Sequence, residues 1–115
     1  TVVLDHRVVA FSPYLRGGWL GRDDQGLWPL AAHETEAMLS FCNTMLADRR
    51  VELPPAFVLD VGTIAGRGWG VVELNPIWCS GLLGCDLAAV LPALRRACRR
   101  RGELSEDDRR WVVAR

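Results

Sequence analysis

The chain has 115 residues, half of them hydrophobic and 24% charged, with 14 basic residues balanced by 14 acidic ones. That length fits one domain with a real core, and the composition is not that of a disordered segment. A formal charge of zero argues against a general nucleic-acid binder, which carries a basic excess, and no apolar run approaches the roughly 18 residues of a membrane span.

The first segment, TVVLDHRVVAF, holds two β-branched runs separated by Asp5-His6 and reads as a hairpin. No basic-then-apolar leader opens the chain, which starts at Thr1. Residues 12–32 carry four of the eleven glycines, two prolines and two tryptophans, so they form a loop that is long for a compact domain. It is either a functional flap or a surface loop pinned to the core by Trp19 and Trp28. From His33 to Arg50 the pattern is helical: Met38, Phe41, Cys42, Met45 and Leu46 share one face. Glu34 and Glu36 in the first turn and Arg49 and Arg50 in the last suit the helix dipole, and Pro54-Pro55 ends the run.

Phe57–Val61 and Trp69–Leu74 form a second hairpin, followed by Asn75-Pro76 and the glycine-rich loop IWCSGLLGCD. Next comes a helix with Leu87, Val90, Leu91, Leu94, Ala97 and Cys98 on one face and Asp86 as N-cap. Pro92 predicts a kink there, or a start near Leu91 with the proline at the first helical position. The arginines between 95 and 101 are its solvated face and last turn. Ser105 to Asp108 opens a short final helix docked by Trp111 and Val112. The expected architecture over residues 1–115 is a single α+β domain: an antiparallel sheet built from two hairpins and packed against two or three helices.

All 14 basic residues are arginine, which a GC-rich genome explains and which excludes lysine chemistry within these residues. The four cysteines (Cys42, Cys79, Cys85, Cys98) contain no CxxC pair, and only His6 and His33 could join them, so a zinc site has little support. Cys42 and Cys98 fall on apolar helix stripes. Reduced thiols in a cytoplasmic protein are the expectation, with a Cys79–Cys85 disulfide the alternative.

Chemistry enters at the second hairpin. A two-residue loop at Gly66-Arg67 would pair Ile64 with Trp69, Gly62 with Val71 and Asp60 with Glu73, and Asn75 would share the face of Glu73. Phe57, Leu59, Val61, Val72 and Leu74 would make the opposite, apolar face that packs on the helices, leaving Val58 and Val71 around the polar groups. Like charges directly opposite on a sheet repel, so a cation, an arginine or a shared proton should compensate. Two carboxylates and an amide suit a hard divalent ion such as magnesium; solvated surface carboxylates, or pairing with an arginine, remain the alternatives.

The string FVLDVGTIAGRGWGVVELNPIWCSGLLGCD resembles the C-terminal signature of ATP-grasp proteins. It is most similar to the clade named for its arginine and two lysines, where a D-V-G strand, an E-x-N-P strand and an S-G-x-x-G-x-D loop follow in this order. RVVAFSPY and the helix 33–50 also sit where that clade has a strand and helix, so the resemblance covers most of residues 1–98. The resemblance implies a C-terminal ATP-grasp subdomain. In such a subdomain Asp60 binds one Mg2+, Glu73 bridges two and Asn75 binds the second, with ATP as cofactor. It implies that a substrate carboxylate attacks the γ-phosphate and that an amine captures the acyl phosphate. Ser80 and Gly81 would belong to a phosphate or substrate loop, or to a packing turn.

An ATP-grasp site also needs lysines and a clamping subdomain, neither found in these residues. The expectation is therefore part of an ATP-dependent ligase, inactive in isolation, whose partners are a nucleotide, a carboxylate substrate and a complementary subdomain. The alternative is a non-catalytic interaction module with a vestigial metal site, its exposed apolar surface covered by a partner or, as a homo-oligomer, by a second copy.

Overall fold

The computed structural model describes residues 1–112. The first hairpin forms as its sequence suggests: β1 (Val2–Leu4) pairs antiparallel with β2 (Arg7–Ala10). Asp5 and His6 both take positive φ, 45° and 62°, as the tight turn demands. Tertiary hydrogen bonds hold this unfavourable backbone: Asp5 N–H donates to Pro55 O at 2.8 Å, and His6 Nδ1 lies 3.3 Å from Leu46 O.

The expected loop 12–32 contains a small ribbon, β3 (Leu15–Arg16) with β4 (Trp19–Leu20), turning at Gly17-Gly18, both at positive φ. Trp19 is 80% exposed and pins nothing. Trp28, half-buried, does the pinning, against the loop that follows the second hairpin.

Helix α1 spans Ala32–Ala47 and buries Met38, Cys42 and Leu46, one residue per turn along a single stripe. Glu34 fixes its start by accepting Ala31 N–H and the fork of Arg16, the latter through two bonds of 2.9 Å. The helix ends three residues before the expected Arg50. Asp48 leaves the helical conformation and binds the backbone N–H and guanidinium of Arg50, so neither Arg49 nor Arg50 lies in the last turn.

The long strands β5 (Ala56–Ile64) and β6 (Gly68–Asn75) complete a four-stranded antiparallel sheet of order β2-β1-β5-β6. Helix α2 (Leu87–Ala97) is capped by Asp86, whose carboxylate accepts Ala88 N–H at 2.9 Å, and runs on through Pro92. Helix α3 (Glu106–Arg109) opens on a reciprocal cap between Ser105 and Asp108. Trp111 and Val112 beyond it are only partly covered.

The helices do not share one face of the sheet, as the hairpin pattern had suggested. Alternation along β5 sends Phe57 and Leu59 to α1, and Ala56 and Val58 to α2 on the other side. β1 and β5 are the central strands, buried on both faces, which is why β5 is apolar at every position from Ala56 to Leu59. β6 is an edge strand, so Val72 (68% exposed) and Leu74 stay at the surface rather than in the core. α2 packs through Val90 and Ala93, with Ala89, Leu94 and Ala97 beside them; Leu87, Leu91 and Cys98 are exposed, correcting the expected stripe. Among the described residues, no helix is long and apolar enough to cross a membrane.

Candidate metal and nucleotide site

The turn joining β5 and β6 is one residue longer than the sequence suggests. Ala65-Gly66-Arg67 form the loop, Ile64 pairs with Gly68, and Arg67 N–H donates to Ile64 O at 2.9 Å. Gly66 and Gly68 have φ of 72° and 83°, which explains glycine at both places. Near the turn Thr63 thus pairs with Trp69, Gly62 with Gly70 and Val61 with Val71, each one residue off the expected register.

A bulge then intervenes: Val72 is an extra residue in β6 with no partner on β5. Beyond it Asp60 pairs with Glu73, Leu59 with Leu74 and Val58 with Asn75. The expected opposition of Asp60 and Glu73 therefore exists, produced by a longer turn and a compensating bulge. Asn75, two residues on, shares the face of Glu73.

Asp60, Glu73 and Asn75 line a pocket of about 300 Å³ together with Tyr14, Ser80 and Gly81. Asp60 and Asn75 are half-buried and Glu73 is exposed. Val58, expected beside the polar groups, is buried and packed toward α2, so the site occupies the part of this sheet face that α2 leaves open.

Tyr14 was not legible as a site residue. Its hydroxyl donates to Asp60 Oδ2 at 3.1 Å. Burial pushes its phenol above the ordinary value, and the hydrogen bond and negative charge of Asp60 add to that. The sequence hint was the stretch RVVAFSPY, which ends on Tyr14 and leads the chain off β2 toward the pocket. Ser12 secures that path by donating its hydroxyl to Leu83 O.

The loop after β6 divides its tasks. Ser80 donates its hydroxyl to Pro76 O at 2.9 Å, bracing the 3₁₀ turn Ile77–Cys79. A Cβ on Gly81 would meet only the flexible Leu83 side chain, at 3.3 Å. Gly84 is different: its φ is +85°, and a Cβ would stand 2.2 Å from the Trp28 ring. Gly84 is thus a packing glycine, whereas Ser80 and Gly81 line the pocket together with Cys79, Leu83 and Cys85.

Among the described residues, none of the ion pairs involves Asp60 or Glu73. Nor, among them, is any group of three or more His, Cys, Asp and Glu placed so that it could hold a metal ion by itself. The protein donors here are two carboxylates and one amide, too few for a closed cage. Hard oxygen donors in that number fit Mg2+, which keeps waters and takes phosphate oxygens for its remaining positions. The four cysteines are free and do not converge on this pocket as a set.

Among known families, a model of the ATP-grasp domain matches residues 1–94, well over half of the chain. It is the model of family 3 in the clade named for its arginine and two lysines. No match was found among curated proteins or solved structures.

Proposed function

The chain belongs to family 3 of the arginine-and-two-lysines clade of ATP-grasp domains, and from that membership we propose that it forms the metal-binding part of an ATP-dependent carboxylate–amine ligase. Asp60, Glu73 and Asn75 would hold Mg2+, and Ser80-Gly81 would approach the nucleotide phosphates or the substrate. The carrying observation is the direct opposition of Asp60 and Glu73 in a pocket where no arginine among the described residues neutralises them. Magnesium there would neutralise and orient the ATP phosphates as the γ-phosphoryl group passes to a substrate carboxylate.

The residues of this chain have definable tasks in that scheme. Tyr14 orients Asp60 through its 3.1 Å hydrogen bond. Glycine at position 81 leaves backbone N–H groups approachable by an anion. These 115 residues contain no lysine, so cationic clamping of ATP by lysine must come from outside them, and the isolated chain should turn over little or no ATP. Calorimetry with Mg-ATP tests the reading: binding should fall in Asp60→Asn and Glu73→Gln, and binding that survives both substitutions overturns it.

A second reading, an interaction module with a vestigial site, draws on the apolar edge that β6 exposes at Val71, Val72 and Leu74. Sedimentation velocity tests its self-association form, since a monomer at micromolar concentration argues against an obligate self-interface.

A further inference from the structure

A second, larger pocket of about 840 Å³ lies at the end of the sheet where β5 begins and β6 ends. Its volume is in the range of small-molecule sites. Asn75 lines both pockets, but the chemistry of this one is unlike the carboxylate site. Trp78 and Trp111 contribute to its walls, with Arg96, Arg99 and Arg101 alongside.

Local folding explains how an indole comes to be presented here. The 3₁₀ turn after Pro76 buries Ile77 completely in the core, and the neighbouring Trp78 is left 61% exposed. The arginines differ in what occupies them. Arg96 is committed to Asp108, with Nη2 2.6 Å from Oδ1 of a carboxylate only 6% exposed. That contact is one of charge, since Oδ1 takes no hydrogen bond of regular geometry. Among the described residues, Arg99 and Arg101 have no acidic partner within salt-bridge distance. The pocket therefore joins aromatic walls to two arginines that no acidic group among the described residues pairs, in a chain whose net charge is zero.

We propose that this pocket binds an organic anion with a flat or apolar body, its carboxylate or phosphate paired with Arg99 and Arg101 and its body against Trp78 and Trp111. A guanidinium fork matches both head groups bidentately, and indole faces take flat apolar bodies. The inference goes beyond the metal site and does not depend on it.

The test is an NMR titration of the full chain with 2-naphthoate, 2-naphthyl phosphate and the neutral 2-naphthamide, read at the tryptophan indole N–H signals. The anions should shift Trp78 and Trp111 and leave Trp19, exposed and not part of the lining, unmoved, with the tighter anion identifying the head group. Arg99→Gln with Arg101→Gln should weaken both anions roughly three- to thirtyfold and leave the amide unchanged. The two arginines are exposed, so the double variant should keep its indole dispersion. If that dispersion collapses, the same comparison is read in wild type at high salt, which must weaken the anions and spare the amide. Equal binding of anion and amide, equal shifts at Trp19, or no shift at millimolar probe would overturn the proposal.

Discussion

Asp60 and Glu73 face one another across β5 and β6, and Val72, the unpaired residue of the β6 bulge, is what aligns them. Carried through unbroken, the pairing set by the turn would put Asp60 opposite Val72. The bulge thus makes a pair of like charges that the sheet would be more stable without. Glu73→Gln should stabilise the metal-free protein by about 0.2–1 kcal/mol, measured by urea unfolding in chelator. The gain should shrink or reverse in millimolar Mg2+, and destabilisation in chelator would contradict the pairing.

Tyr14 is the only tyrosine in the chain, so phenolate absorbance reports on it alone. It should ionise above the ordinary tyrosine value, held there first by burial and then by the Asp60 carboxylate. Asp60→Asn should bring the titration down part of the way, because burial remains. An unchanged titration would remove Tyr14 from contact with Asp60.

Gly84→Ala should cost about 1–3 kcal/mol, since it combines a positive φ with a clash against Trp28. Trp28→Ala in the same background should remove the clash and leave the backbone strain, so the two substitutions would not add. Thermal denaturation of both single variants and the double checks this. Strict additivity would mean that Trp28 does not dock on Gly84.

Acid should act through the buried carboxylate of α3. Arg96 beside Asp108, helped by the Ser105 cap, lowers its carboxyl from 3.8 to about 2. A depressed folded-state value means the contribution is complete above pH 3.8 and is lost as pH falls from there toward 2. Asp108→Asn should lower the melting temperature at neutral pH and flatten its dependence over that window. A variant as acid-sensitive as wild type would place the acid response elsewhere, with Glu34, lowered to about 2 by Arg16, the next group to test.

Much of this protein could be read directly. The Asp5-His6 turn, the Met38–Cys42–Leu46 stripe and the Asp86 cap are local signals, each set by residues within a few positions. The opposition of Asp60 and Glu73 was also legible, though by a different route, because a two-residue turn and a three-residue turn with one bulge give the same register at that pair. Local sequence does not separate those routes: glycine at 66 and 68 permits either turn, and nothing about Val72 marks it as unpaired. What stayed hidden was tertiary. Which face of the sheet each helix covers decides the fates of Leu87, Leu91, Val72 and Leu74, and no spacing within a helix encodes that. Tyr14 reaches Asp60 across 46 residues, so its role emerges only from the packing of the segment after β2.

Asp60, Glu73 and Asn75 are proposed to form a divalent-cation site. Adding Mn2+, whose oxygen-ligand chemistry follows that of Mg2+, to the labelled chain and watching amide broadening measures it directly. Signals of Asp60, Glu73 and Asn75 should broaden first, recover when Mg2+ is added, and stay sharp in the Asp60→Asn, Glu73→Gln double variant. Broadening centred on the acidic run Glu106–Asp108, or unchanged in the double variant, would rule this site out.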